Sequence, residues 1–260
     1  MDLDLRDRVF LVTGGSAGLG LAGARALTAE GARVVIAARD PEQVEQAVAE
    51  LEPGSAIGLQ ADLAEPSVAA RLTEAAQAHF GRIDGSLVSV GGPPPGTALG
   101  VDDRSWTDAF QSVFLGPLRI ARAIAGALPA NAASPVGTTG SVLLVLSTSA
   151  FSPIPDLAIS NGLRPGLAML TKQLADELGP RGIRVNAIAP GRFATERVRS
   201  LDASRGDPHL VRQQFESAIP LGRYGEPDEF GALAAFILSP RASYLTGTVV
   251  TLDGGASRQP

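Results

Sequence analysis

The first residues whose types and spacing point to chemistry are Thr13-Gly-Gly-Ser-Ala-Gly-Leu-Gly20. They follow the apolar run Val9-Phe-Leu-Val12 and lead into an alanine-rich stretch, Leu19 to Glu30, with helical spacing. In such a strand–turn–helix setting Gly14 permits the tight turn, Gly18 admits a pyrophosphate close to backbone, and Gly20 lets helix and sheet pack closely. The turn residues Ser16, Ala17 and Leu19 bring free N–H groups and the positive end of a helix dipole toward a phosphate. Glycines also make plain turns, and it is the flanking strand and helix that favour dinucleotide binding here. Other reactive residue types are scarce. Cysteine is absent, which excludes disulfides, thiolate ligands and thiol nucleophiles. The two histidines, His79 and His209, are far apart, so no metal site is expected. His79 reads as a helix-terminal cap, and His209 as a remote candidate acid. The two tyrosines, Tyr224 and Tyr244, both sit near the C-terminus.

The elements that must position these residues are legible as alternation. Strands are predicted at Val9–Val12, Arg33–Ala38, Ala56–Gln60, Ser86–Val90, Val142–Ser147, Ile183–Ile188 and Thr248–Leu252. Helical patterns lie between them: Leu19–Glu30, Pro41–Leu51, Pro66–Phe80, Trp106–Leu128, Leu157–Leu178 and Pro227–Leu238. Continuous apolar strands joined by crossover helices imply a parallel sheet covered on both faces. The expected fold is α/β: a Rossmann-type doubly wound parallel sheet of seven strands in a single domain. Residues 1–100 would form mainly the dinucleotide-binding half, and residues 101–260 the substrate-pocket and oligomerisation half. The stretches 131–140, 195–218 and the tail after Gly255 read as weakly structured, with a lid over about 192–220.

With a net charge of −5 and no block of like charges, nucleic acid is not an expected partner. No apolar run approaches the roughly 20 residues of a membrane helix, and the N-terminus has no secretory pattern. A cytoplasmic location is the expectation.

The order of motifs along the chain resembles the short-chain dehydrogenase/reductase family. The spacing of Gly14, Gly18 and Gly20 matches its fingerprint, and Ala61-Asp62-Leu63 resembles the segment whose Asp binds adenine. Gly81-Arg-Ile-Asp84, the stretch Leu178 to Pro190-Gly191, Gly222-Arg-Tyr-Gly-Glu-Pro227, and Ser243 through Asp253-Gly-Gly255 follow in order. The resemblance implies a nicotinamide cofactor held by Gly14, Ser16, Ala17, Gly18, Leu19, Gly20, Asp62, Leu63, Gly91, Pro190, Gly191 and Thr195. Thr195 falls where the family places a hydroxyl against the carboxamide. Where family members carry the acid that selects NAD, this chain has Ala38 followed by Arg39. Arginine accommodates a 2′-phosphate, so NADP (NADPH) is the preferred cofactor, with NAD possible. The alternative is that Arg39 pairs with Asp40 or a helix residue.

At the catalytic positions the family pattern fails. Registering on Leu167 and Leu170-Thr-Lys172 puts Ser160 at the Tyr position and Arg164 at the Lys position. Ser147 keeps the family Ser, Val113 replaces the Asn, and Ser89-Val-Gly-Gly92 replaces Asn-Asn-Ala-Gly. Serine is a far poorer proton donor than tyrosine, with its pKa of about 10, and arginine cannot relay a proton. Arg164 can still hold the cofactor ribose or clamp a carboxylate or phosphate. Ser147, Ser160 and Arg164 are therefore the catalytic candidates, in a pattern resembling a divergent ketoacyl-reductase-like branch lacking Tyr and Lys. Ser160, Asn161 and Arg164 read as a polar set facing the cofactor, or as groups that merely satisfy one another.

The reading favoured from sequence is an atypical NADP(H)-dependent carbonyl/alcohol oxidoreductase. The alternative is a catalytically silent NADP(H)-binding protein, a sensor or partner subunit. A weaker third is a lyase or isomerase with an anionic substrate at Arg164. The expected partner is a small molecule of hydrophobic or mixed character between walls at Pro93–Pro95 and Phe151, Pro153, Ile154 and Pro155, with Phe193 and the lid closing above. The family resemblance implies a homo-oligomer, tetramer or dimer, through the two long helices and the last strand, with Ala158, Gly162, Gly166 and Ala168 allowing close approach.

Overall fold

The computed structural model describes residues 1–129 and 139–258. Seven strands form one sheet in the order β3-β2-β1-β4-β5-β6-β7, every pair parallel. They are β1 (Val9–Thr13), β2 (Arg33–Ala38), β3 (Ala56–Gln60), β4 (Gly85–Val88), β5 (Gly140–Val145), β6 (Ile183–Pro190) and β7 (Val249–Leu252). The α/β doubly wound expectation and the strand count are met. Of the segment expected to be weakly structured near 131–140, residues 131–138 lie outside the described residues, and Gly140 already belongs to β5.

Two apolar layers sandwich the sheet. On one face α3 (Val68–Phe80), α5 (Gly116–Ala127) and α6 (Ala158–Leu178) contribute Leu72, Ile120, Ile124, Leu167 and Leu174. On the other, α1 (Gly18–Ala29), α2 (Pro41–Ala49) and α9 (Pro227–Leu238) contribute Leu27, Val44, Phe230 and Ile237. Strands β1, β5 and β6 are buried throughout, which is why they read as unbroken apolar runs rather than alternating ones. The strand order reverses direction between β1 and β4, which opens a crevice at the carboxyl ends of the strands.

The stretch expected as one helix over Trp106–Leu128 is divided. It begins earlier, as α4 (Asp103–Ala109) capped by the Asp102 carboxylate, passes through a π-helical turn at Phe110–Leu115, and resumes as α5. Pro117 has no N–H for the Val113 carbonyl, so the α-helical ladder cannot run through this turn, and Gly116 N–H donates to the Gln111 carbonyl five residues back. Val113, which the family resemblance would set at the Asn position, is buried against Ala109 and Ile159.

The segment 195–218 is likewise not irregular. It forms α7 (Glu196–Ala203), capped by Thr195, and α8 (Pro208–Ala218), capped by Asp207 with Pro208 in its first turn. Buried Asp202 of α7 ties both helices to the body. Tyr224 Oη donates to its Oδ2 at 2.9 Å, and Arg192 Nη1 reaches Oδ1 at 2.5 Å while its guanidinium lies over the Phe215 ring of α8. Burial and the Asp202 bond push the Tyr224 phenol up to about 12. Tyr224→Phe is expected to speed amide hydrogen exchange over 196–218 by about fivefold, the equivalent of about one lost hydrogen bond, with no change in β1 or β5. Uniform acceleration across the sheet would instead place Tyr224 in the global core.

Gly162 and Gly166 on α6 do not leave a bare face. A Cβ on Gly162 would lie 2.8 Å from the Trp106 ring, and one on Gly166 2.9 Å from Phe114, so both glycines make room for aromatics of the same chain. Arg184 on β6 is an interior clasp. Its Nη1 and Nη2 donate to the carbonyls of Ile237, Leu238 and Ser239 at 2.7–3.2 Å, satisfying the end of α9. Arg184→Met leaves these carbonyls unpaired and is expected to cost about 2 kcal/mol, a Tm drop of roughly 4–8 °C by calorimetry.

Candidate active site

A cleft of about 1810 Å³ lies along the carboxyl edge of the sheet. At one end is the turn between β1 and α1. Gly14 and Gly18 have φ of +56° and +53°, values that favour glycine. A Cβ on Gly20 would stand 2.1 Å from the Gly14 carbonyl oxygen, so Gly20 serves close packing rather than ligand contact. The α1 N-cap is Ala17, which has no side-chain acceptor, and the first turn holds no acid. The free N–H groups and the dipole therefore face the cleft uncompensated, the arrangement that suits a phosphate. Ser16, Ala17, Gly18 and Leu19 line this end, and Asp62, Leu63, Gly91, Pro190, Gly191 and Thr195 line the same cleft.

Arg39 follows β2 and is exposed at the rim. Asp40, its possible partner, is spent on α2, where its Oδ1 accepts from the N–H groups of Glu42 and Gln43. Among the described residues Arg39 has no ion pair. An ideal Cβ on Gly91 would lie 4.0 Å from Arg39 Nη2, which places the guanidinium at the edge of the loop after β4. These features fit a dinucleotide, and the free guanidinium fits one with a 2′-phosphate.

At the other end the side chains come from the β5 end and from α6. Ser160 Oγ and Ser149 Oγ are 2.8 Å apart, both buried. Ser147 Oγ accepts from Ser149 N–H at 3.1 Å and so fixes the turn that presents Ser149. Arg164 Nη1 donates to the Val145 carbonyl at 2.5 Å, and Arg164 Nε is buried without a partner among the described residues. Burial, with a smaller contribution from the charge of Arg197, pulls the Arg164 guanidinium down to about 10. It remains a cation at neutral pH. Asn161 departs from the expected polar set: its amide exchanges two 2.9 Å hydrogen bonds with the Ile154 backbone, bracing the wall at Pro153 and Ile154. Asn161 and Arg164 therefore do not satisfy each other.

Three further expectations are corrected. Phe193 lies in the core against Phe230, ring centres 6.2 Å apart, and does not close over the cleft. His209 lines a separate, smaller cavity between α7 and α8, away from Ser160. Of the expected walls, Pro93, Pro94, Pro153 and Ile154 line the cleft, while Pro95, Phe151 and Pro155 do not. Sequence reasoning missed Ser149 and Arg197. Arg197 stands two residues after Thr195, on the first turn of the segment read as irregular, where nothing marked it as facing inward.

A doubly wound sheet with an uncapped helix N-terminus at its switch point is the frame of a dinucleotide-binding fold. Residues 14–257 match the family model described as enoyl-(acyl carrier protein) reductase. Human dehydrogenase/reductase SDR family member 4 is 33% identical over 96% of this chain and 88% of its own. The 3beta-hydroxysteroid dehydrogenase 1 of Eggerthella lenta is 35% identical over 99% of this chain and 96% of its own. The crystal structure of L-sorbose reductase from Gluconobacter frateurii, complexed with NADPH and L-sorbose, superposes with a TM-score of 0.89 at 26% identity, covering 100% of both chains. The chain belongs to the short-chain dehydrogenase/reductase family of oxidoreductases. No helix among the described residues is long and apolar enough to cross a membrane.

Proposed function

We propose that this chain is an NADP(H)-dependent oxidoreductase interconverting a carbonyl and an alcohol, with Ser160 and Arg164 standing in for the family's Tyr and Lys. The observation that carries the reading is the shared cleft. The uncapped α1 N-terminus and free Arg39 lie at one end, and Ser147, Ser160 and Arg164 at the other, with Ser149 hydrogen-bonded to Ser160. That L-sorbose reductase holds NADPH supports the cofactor preference by analogy. The bound nicotinamide would supply or take up the hydride. Ser160 Oγ, polarised by its bond to Ser149, holds the proton at the substrate oxygen, directly or through a water. Arg164 does not relay protons; it is a fixed charge that stabilises negative charge developing on that oxygen.

Calorimetric titration with NADPH and separately with NADH tests the first half, and loss of nicotinamide absorbance across a carbonyl panel tests the second. The expected result is micromolar NADPH binding, much weaker NADH binding, and turnover. Tight NADPH binding with no turnover on any carbonyl would favour a silent sensor or partner subunit, and binding of neither would overturn the proposal. Self-association through the stretch from α4 to α5, through α6 and through β7 is part of the same reading. Phe110 stacks on Phe114, whose ring fills the notch at Gly166, and exposed Met169 lies one turn further along α6. A monomer in sedimentation velocity would remove it.

A further inference from the structure

The loop after β4, Gly91-Gly-Pro-Pro-Pro-Gly96, is not explained by cofactor binding alone. Its role is visible at Arg197, on the first turn of α7. Arg197 Nη2 donates to the Pro93 carbonyl at 3.0 Å. A Cβ placed on Gly92 would stand 2.1 Å from the same nitrogen, so only glycine at 92 leaves the guanidinium its seat. The loop thus holds Arg197 inward, toward the cleft wall that Arg164 also lines.

The pair is electrostatically expensive. Arg164 is buried while Arg197 is exposed along the same cleft, and the charge of Arg197 acts unfavourably on Arg164. Arg197 also sits at the positive end of the α7 dipole, where a cation is disfavoured. No carboxylate among the described residues offsets this. Glu196 is taken by Arg199, Asp62 by Ala64 N–H, and Asp253 by the N–H groups of Gly255 and Ser257. Arg164 keeps a buried Nε with no acceptor. Two cations lining one cleft, with no carboxylate set between them, are a receptor for an anion.

Resting on the oxidoreductase reading for its substrate site, we infer that Arg197 binds a carboxylate of the substrate while Arg164 faces the carbonyl oxygen, so that the compound reduced is an oxo acid rather than a neutral ketone. The dinucleotide phosphates have their own donors, at the α1 N-terminus and at Arg39. Arg197 is instead drawn to the Pro93 side of the cleft, where Pro94, Pro153 and Ile154 add apolar walls for the carbon skeleton.

The test uses para-acetylbenzoate and its methyl ester, titrated calorimetrically into the free protein and into protein saturated with NADP⁺, in which no reduction occurs. The carboxylate is expected to bind about ten- to a hundredfold more tightly than the ester. Arg197→Met should abolish that preference while leaving ester and NADP⁺ affinities within about twofold. Gly92→Val should do the same by unseating Arg197 without removing its charge, which covers the case in which Arg197→Met folds poorly. Equal affinity for acid and ester, or no binding of the acid at millimolar concentration, overturns the inference. So does an Arg197→Met variant that loses NADP⁺ affinity but keeps the acid preference, which would assign Arg197 to the cofactor. An acid preference in a protein that binds no NADP⁺ would support the anion site and overturn the oxidoreductase reading instead.

Discussion

Arg39→Glu is expected to weaken NADPH binding about a hundredfold or more while changing NADH affinity less than about threefold, read by calorimetric titration. A hydrogen bond to a charged group is worth about 1.5–3 kcal/mol, and reversing the charge adds repulsion to the loss. The size of the effect follows from what surrounds Arg39. It has no competing partner to relax onto, because Asp40 is fixed as the cap of α2 and no ion pair forms among the described residues. Its own carbonyl is held by Gln60 Nε2 at 3.1 Å, which anchors the backbone at the strand end while the side chain stays free. The preceding residue, Ala38, offers no carboxylate to a ribose 2′-hydroxyl. A glutamate at 39 would therefore add an acid to the neighbourhood of that hydroxyl, and a modest gain in NADH affinity is the accompanying result. Equal losses for the two cofactors would show instead that Arg39 supports the loop at Gly91 rather than discriminating a phosphate.

The legible parts of this chain are those governed by local rules. The strands are buried on both faces, so their apolar runs announce them, and α9 matches its expected bounds at Pro227 and Leu238 because a proline starts it and the apolar spacing fixes its length. The glycine turn was legible because Gly14, Gly18 and Gly20 each answer a separate backbone requirement. The π turn at Phe110–Leu115 was not, since a single missing N–H at Pro117 shifts a register that the apolar pattern crosses without a break. Helices α7 and α8 were hidden for a different reason: their surfaces are mostly polar, and what holds them is Asp202, a long-range contact with Arg192 and Tyr224. The catalytic end suffered most. Registering motifs located Ser147, Ser160 and Arg164 in one cleft, but which of them touch depends on the turn at Thr148–Ala150, and that turn sets Ser149 rather than Ser147 against Ser160. Arg197 came from an element whose existence was not foreseen, so its orientation was out of reach.

That turn also decides what Ser160→Ala should do. If the Ser160 hydroxyl passes a proton to the substrate oxygen, its removal should lower kcat by about 100-fold, toward the low end of the 10²–10⁴ that general acid catalysis contributes, because serine is a weak acid to begin with. NADPH affinity should stay within about twofold, since Ser160 lies at the opposite end of the cleft from Arg39 and the α1 turn. Ser149→Ala should cost less. It leaves the proton-bearing oxygen in place and removes only the 2.8 Å partner that orients it. The pH profile separates this mechanism from one using an unsuspected base. The cleft end around Ser160 is governed by Arg164, whose guanidinium is lowered to about 10 by burial, so the charge that stabilises the substrate oxygen persists at neutral pH. The rate is then expected to be flat through neutrality and to fall as pH rises through about 10, where Arg164 loses its proton. In Arg164→Leu that alkaline fall should vanish along with most of the activity, because the group that titrates is gone. A break in the ordinary histidine range, surviving in Ser160→Ala, would transfer the proton-holding role to another side chain and leave Ser160 as packing beneath Ser149.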